Sequence, residues 1–348
     1  TSSGPITFGA GSASAHDMML KREDANTLAV RNAGDSTYKD FKAGAGTFSG
    51  ALSADSLTLT TPYSVAINLA QTNGGRLTLT SGTPVTTSDV TAAGTIYWEP
   101  YKSDQIALWT GSAYQVYSIG SNKSLALTVT SGSNYDIFGY LNAGTLALES
   151  LVWTSTTARA TAVVRDATGV LTKSGDRTRR YLGTIYATAS NQTEDSLSRR
   201  CVFNADNRVM RPLRAVDGTN TWTYSTTSFR NFNGSSTDGT GQCRFVIGVS
   251  EAPLRARADL MATMASNDYV YVGVGIDGTT NNAQIVVPAY YSSFVGVGRG
   301  HAIYQGFPGI GMHTVAPLEK STGTTATVYG DNGAASDSQS GLQAFIEG

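Results

Sequence analysis

The stretch whose reading decides the fold is Gly75 to Ile119, GRLTLTSGTPVTTSDVTAAGTIYWEPYKSDQIALWTGSAYQVYSI. Leu77 and Leu79 alternate with Arg76, Thr78 and Thr80, and Ile106 and Leu108 alternate with Gln105, Ala107 and Trp109. That period of two puts successive side chains on opposite faces of a strand, whereas a helix repeats near 3.6. Tyr97 to Tyr101 is an aromatic run of strand type. Thr110-Gly111-Ser112 is a loop of hairpin length. After it Ala113 to Ile119 returns as a strand, with Tyr114 and Val116 on one face and Tyr117 and Ile119 on the other. Apolar groups on both faces predict a small sheet covered twice, by another sheet of the same chain or by a neighbouring subunit.

The same signature runs to the end of the chain. Leu125, Leu127 and Val129 alternate with small residues, Ile137 to Leu141 pairs with Leu146 to Trp153 across Asn142-Ala143-Gly144, and Val163 to Leu171 turns at Asp166 to Gly169. Trp222 to Tyr224, Phe245 to Val249, Tyr269 to Ile276, Ile285 to Val287, Thr327 to Tyr329 and Leu342 to Ile346 read as further strands. Leu254 to Ala265, LRARADLMATMA, fits either a helical face or a strand with Arg255, Arg257 and Asp259 opposite the apolar side, and its strand neighbours favour the strand. The expected fold is all-β: an N-terminal fibrous stalk followed by antiparallel sandwich or jelly-roll-like domains. The expected segments are a stalk at 1–60, a small β domain at 61–120, a sandwich-like domain at 121–213 and a C-terminal β domain at 214–348.

Residues 1 to 60 scatter Phe48, Leu52, Leu57 and Leu59 among Gly, Ser and Ala, with one short strand at Leu28 and Val30. Isolated apolar residues of this kind cannot offset about 1 to 2 kcal/mol of backbone entropy per residue within one chain, but three copies wound on one axis would share a core; the alternative is a disordered tail. Charged residues are 15% of the chain, against about 25% in an average globular protein, which points to subunit interfaces or an extended rigid object. A net charge of −1 excludes a dedicated nucleic-acid binder, since counterion release needs a basic excess. No run of about 18 apolar residues exists, so no membrane insertion is expected. The first residue, Thr1, fits either loss of an initiator Met or a piece of a longer chain.

Little in the sequence carries chemistry. Gly273-Val274-Gly275-Ile276-Asp277-Gly278 satisfies GxGxxG, but Thr279-Thr280-Asn281-Asn282 follows it where a dinucleotide site needs a helix, so no cofactor is expected. Cys201 and Cys243 lack metal spacing and read as free buried thiols more readily than as a disulfide. His16, His301 and His313 form no metal motif, and Asp277 with Asn281 and Asn282 reads as a turn before it reads as a calcium loop, so no metal is expected. Glu99, Asp136, Glu149 and Asp206 lie on or near strands without any pair standing out, and no catalytic residue is assigned. Arg177, Arg179, Arg180, Arg199, Arg200, Arg208, Arg211 and Arg214 fall within fewer than forty residues; interleaved Asp176, Glu194, Asp195 and Asp206 favour local or inter-chain ion pairs over an anionic receptor site. The candidates for ligand contact are Trp222, Tyr224, Phe232, Tyr290, Tyr291 and Tyr304, aromatics set among Asn, Ser and Gly in the way of surfaces that stack on sugar rings.

Four segments together resemble the tail fibres and receptor-binding proteins of tailed bacteriophages: LKREDANTLAVRN (Leu20 to Asn32), GGRLTLTSGTPVTTSDV with TIYWEPYKSDQIALWTGSAYQVYSI (Gly74 to Ile119), RRYLGTIYAT through NRVMRPLR (Arg179 to Arg214) and TWTYSTTSFR (Thr221 to Arg230). The resemblance implies a homotrimeric virion fibre, assembled in the host cytoplasm. Its N-terminal segment would join other tail or capsid proteins, and its C-terminal domain would bind a bacterial surface glycan or protein without catalysis. A purely structural head fibre or baseplate spacer, and a glycan-degrading tailspike, are the alternatives. No recognisable tail-attachment domain stands at the start of the chain.

Overall fold

The computed structural model describes strands within 6–9, 16–22 and 28–32, and then residues 69–264, 267–291 and 296–348. The chain divides into two compact units, Thr1–Ala66 and Ile67–Gly348. In the first, Ile6–Gly9, His16–Arg22 and Leu28–Asn32 form an antiparallel three-stranded sheet, with Ile6 opposite Leu20 and Met18 opposite Asn32. The strand expected at Leu28 and Val30 is the third of these. Most of the expected stalk, including Phe48, Leu52, Leu57 and Leu59, lies outside the described residues.

The second unit is all-β: apart from two short 3-10 turns, its described residues form strands and loops. No helix among the described residues is long and apolar enough to cross a membrane. Turn chemistry sets the hairpins. Asn134–Asn142 pairs with Thr145–Val152 through Ala143 (φ +48°) and Gly144 (φ +82°), a two-residue turn with both central residues left-handed. Gln105–Trp109 returns as Tyr114–Ser118 past Gly111 (φ +107°), where Thr110 accepts a hydrogen bond from its own loop and Trp109 faces Tyr114. The contested segment is a strand, Leu254–Met264, whose side chains alternate between buried and outward positions along its whole length.

Two large apolar cores and a small cluster of Phe138, Tyr181 and Ala205 lie in this unit. One gathers Leu77, Ile96, Trp98, Ile106, Leu108, Ile137 and Ile185, so residues from the 61–120 and 121–213 segments share a single interior. The other begins at Phe203 and runs to Ile346. A fourteen-stranded sheet threads both. Val90–Ala93 joins Gln192–Asp195, and Arg199–Arg200 lies parallel to Cys243–Ile247, which leads into Gly311–Ser321, Asp268–Ile276 and Ala289–Tyr291. Buried polar links hold the segments together. Asn204 brackets Leu77, accepting from its N–H at 2.6 Å and donating to its carbonyl at 3.2 Å. Buried Arg76 donates to Pro84 O at 2.9 Å and Gly348 O at 3.0 Å; its burial and the neighbouring Arg211 lower its pKa to about 10.

Over the 105–119 hairpin the chain itself covers both faces of Gln105–Trp109, while Tyr114–Ser118 stays half-buried to exposed. Ile106, Ala107 and Leu108 are all buried, the Arg180 guanidinium donates to Ala107 O at 2.9 Å, and Arg177 lies 3.7 Å from the Trp109 ring centroid while its guanidinium binds Asp166. The clustered arginines are likewise met within the chain. Arg179 pairs with Glu149, Arg180 with Asp206, Arg199 with Glu194 and Asp238, Arg200 and Arg211 with Asp195, and Arg208 with Glu251.

Around the second core the fourteen-stranded sheet faces a seven-stranded one, ordered Met210–Val216, Gly341–Glu347, Leu254–Met264, Gly298–Gly306, Ile285–Val287, with Ala326–Tyr329 and Thr221–Tyr224 to one side. Small residues line the inner face of the seven-stranded sheet, Ala256, Ala258, Ala262, Ala302 and Ala344, and pack on Val270, Val272, Val274, Val315 and Phe245 of the other. Each sheet therefore turns a second, polar or aromatic face to solvent, and those outward faces are where ligands have access.

Candidate functional site

The alternation in Asp268–Ile276 sorts its side chains. Val270, Val272 and Val274 point into the core, which sends Tyr269 and Tyr271 outward. Antiparallel pairing then sets Tyr290 opposite Tyr269 and Lys320 opposite Tyr271. The three tyrosine rings stand on two adjacent strands, and Lys320 on a third leads to Phe229 in the loop before Arg230–Asn231. The Tyr269 centroid lies 5.1 Å from Tyr290 and 6.1 Å from Tyr271, the Tyr271 ring is stacked on Tyr269 at 29°, and Lys320 Nζ sits 5.2 Å from Tyr271 and 5.4 Å from Phe229. Gly273 makes room for the last ring, since a Cβ there would meet Phe229 Cε1 at 3.2 Å and Asn281 Oδ1 at 2.9 Å. Tyr290 is 53% exposed and Tyr269 40%.

Polar groups border this strip. Asp268, next to Tyr269, accepts from Thr324 Oγ1 at 2.7 Å and from the Tyr269 N–H at 2.8 Å; hydrogen bonds from Thr322 and Thr324 hold its carboxyl below the usual range. Exposed Ser225, Thr226, Thr227 and Ser228 precede Phe229. Flat aromatic faces flanked by hydroxyls, a carboxylate and an ammonium present what a polyhydroxylated ring needs: a surface to stack on and hydrogen-bond partners at its rim.

The six aromatics expected to bind ligand do not form one site. Tyr290 belongs to the strip. Tyr291 lies opposite Asp268 in the strand pairing, and its side chain is outside the described residues. Trp222 and Phe232 are a correction: they are 8% and 1% exposed, 6.2 Å apart in the core, and present no ring to solvent. The reason is Glu319, itself fully buried, which accepts from Trp222 Nε1 at 2.8 Å, Arg230 Nε at 2.8 Å and the Asn233 N–H at 3.0 Å. Burial pushes the Glu319 carboxyl upward despite those donors. Tyr224 is half-buried under the Arg230 guanidinium, 3.9 Å from its ring, and donates to Ser228 O. Tyr304 stands on the other sheet, half-buried against the core. Tyr269, Tyr271 and Phe229 were missed as candidates, although the alternation Tyr-Val-Tyr-Val in 269–272 marks two tyrosines sharing a face.

The groups weighed for catalysis and metal binding are engaged elsewhere. Glu99 accepts from the Gly82 N–H and from Asn122, Asp136 is bound by Arg159, Glu149 by Arg179, and Asp206 by Asn73 and Arg180. Asp277 takes the left-handed turn conformation (φ +55°), accepts from the Thr314 N–H at 2.7 Å and lies 2.8 Å from His313 Nδ1. The Asn281 and Asn282 carbonyls accept backbone N–H groups of Val274 and Ile276. No cluster of three or more metal-ligating side chains occurs among the described residues. Cys201 and Cys243 are free, buried thiols.

No family model and no curated protein matches the chain. Among solved structures, the glycoside hydrolase BuGH86 in complex with neoagarooctaose is similar at a TM-score of 0.24 and 9% identity, over 74% of this chain and 34% of that one. The insecticidal delta-endotoxin Cry8Ea1 from Bacillus thuringiensis is similar at a TM-score of 0.22 and 10% identity, over 79% and 51%, and a Cry1Da tryptic core variant at 0.20 and 7%, over 74% and 48%. The chain thus corresponds to between a third and about half of those longer proteins. Scores this low carry no argument about fold or function.

Proposed function

We propose that this chain is a non-catalytic recognition protein that holds a polysaccharide of the bacterial surface against the strip Tyr290, Tyr269, Tyr271 and Phe229. The observation that carries this reading is the strip itself: three tyrosines linked ring to ring on the outward face of a sheet, joined through Lys320 to Phe229 in the adjoining loop. Placing the tyrosines on paired strands fixes their backbone in advance and lowers the ordering cost at binding. The resemblance to phage receptor-binding proteins supplies the setting: a virion fibre, trimeric, with the first sixty residues toward the particle. Three copies on one axis would repeat a weak sugar site, and linked weak sites gain about 10² to 10⁴ in apparent affinity.

The test is a binding titration of the full chain against neutral bacterial surface oligosaccharides, with Tyr269→Ala and Tyr290→Ala beside wild type. Each substitution removes an exposed ring and is expected to weaken binding several-fold to about tenfold, from about 0.5 to 1.5 kcal/mol per stacked pair. Unchanged affinity in both variants overturns the assignment of the strip. Sedimentation of the purified chain at other than three times its monomer mass overturns the trimeric fibre.

A further inference from the structure

A second concave site opens on the outward face of the seven-stranded sheet. It is a groove of about 410 Å³ between the Leu254–Met264 and Gly298–Gly306 strands and the turn that precedes Gly341. The register places Asp259 opposite His301 and Met261 opposite Arg299, so that one wall carries alternating charges. These charges are not equivalent. The Asp259 carboxylate is taken by Arg257, with three nitrogen-to-oxygen contacts between 2.7 and 2.9 Å, and the two cancel. Arg299 and His301 have no side-chain partner among the described residues.

The turn supplies the rest. Ser338 lines the groove with its backbone and Cβ side, while its Oγ is sealed from solvent without a hydrogen-bond partner and offers the groove nothing. Gln339 spends its carbonyl oxygen on Arg214 Nη2 at 2.7 Å, which leaves its amide N–H groups to donate. Asp337 uses one oxygen to accept from Ser336 at 3.1 Å and leaves the other open. The unspent groups that face the groove are therefore a guanidinium fork, an imidazole, an amide donor and one carboxylate acceptor.

We propose that this groove binds a hexuronate unit of an acidic polysaccharide. Arg299 takes the sugar carboxylate through its fork, with His301 beside it, and Asp337 and Gln339 meet the ring hydroxyls. Asp337 decides the ligand class. A bare anion is repelled by it, whereas a uronate offers it hydroxyl donors. The site shares no residue with the aromatic strip and lies on the other sheet, so either can fail alone.

Calorimetric titration of the full chain with tetragalacturonate, and with the same tetramer after reduction of its carboxyl groups, tests the proposal. The acid tetramer is expected to bind and the reduced one not. Arg299→Gln is expected to weaken binding about tenfold, the cost of losing a charge-assisted pair. His301→Gln should weaken it less, and Tyr269→Ala should leave it unchanged. Absence of binding at millimolar tetramer, equal binding of the reduced tetramer, equal displacement by sulfate, or full affinity in folded Arg299→Gln each overturns the assignment. Loss of neutral-oligosaccharide binding in Tyr269→Ala reports separately on the strip.

Discussion

Replacing Arg159 with Met probes the point where the two cores are pinned together. The Arg159 side chain is 9% exposed and its partner Asp136 1%. Arg159 donates to Asp136 Oδ2 at 2.6 Å and Oδ1 at 3.0 Å, to Tyr181 Oη at 3.3 Å and to Gly248 O at 2.7 Å, and its guanidinium lies 4.4 Å from a Trp153 ring centroid. Gly248 follows the Cys243–Ile247 strand of the second core, while Asp136 belongs to the strand that walls the first. In Arg159→Met the Asp136 carboxylate stays buried with Thr184 Oγ1, at 2.7 Å, as its remaining side-chain donor. An uncompensated buried charge costs about 3 to 5 kcal/mol. At about 2 to 4 °C per kcal/mol for a unit of this size, the melting temperature should fall by about 10 °C. The assay is a thermal melt at neutral pH, repeated with Asp136→Leu added. That second change removes the stranded charge and leaves Thr184 and Tyr181 to pair with each other, as they already do at 2.6 Å, so the double variant should recover most of the loss. A single variant melting within about 2 °C of wild type, or a double variant melting below the single one, refutes the reasoning.

Acid should destabilise the Ile67–Gly348 unit through its aspartates. Burial pushes Asp166, Asp176, Asp217 and Asp277 upward, but hydrogen bonds from Thr168, Tyr114 and Arg177, from Thr178, from Thr219 and Asn233, and from His313 and Thr314 outweigh it and hold all four carboxyls below their ordinary values. Their stabilising contribution is complete above the unfolded value of about 4 and is lost as pH falls through the lowered folded values. Glu319, raised by burial, has the opposite sign and loses its contribution as pH rises through its folded value, so the aspartates should dominate melts between about pH 5 and 2, and Asp166→Asn should flatten that dependence. Burial raises the Cys201 thiol strongly and the Cys243 thiol to about 12, so a thiol reagent should label both only as fast as the unit unfolds. Gly183→Ala would set a Cβ 2.0 Å from Phe203 O and 2.8 Å from Leu77 Cδ1, and should cost about 1 to 3 kcal/mol in a denaturant titration, whereas Gly278→Ala meets nothing within 4 Å and should stay within about 0.5 kcal/mol.

Strands and turns were legible because their signals are local. The left-handed pair Ala143-Gly144, the reversal at Gly111 and the strict alternation of LRARADLMATM depend on residues a few positions apart, and each appears where the sequence places it. The glycines of GVGIDG relieve crowding in a packed strand: a Cβ on Gly275 would lie 2.2 Å from Gly278 O. Segment boundaries were not legible in the same way. The joins between 61–120 and 121–213 are made by Asn204 on Leu77 and by Arg180 on Ala107, contacts between residues 127 and 73 positions apart that leave no periodic trace.

The sequence by itself determined the all-β class and most of the hairpins, because alternation and turn residues act over short distances. Only the tertiary structure decided which aromatics meet solvent. Trp222 is drawn inside by a carboxylate 97 residues away, while Tyr269 is turned out because its neighbours Val270 and Val272 fill the core. Composition around a ring cannot separate these fates, since burial is settled by whichever distant strand arrives to cover it.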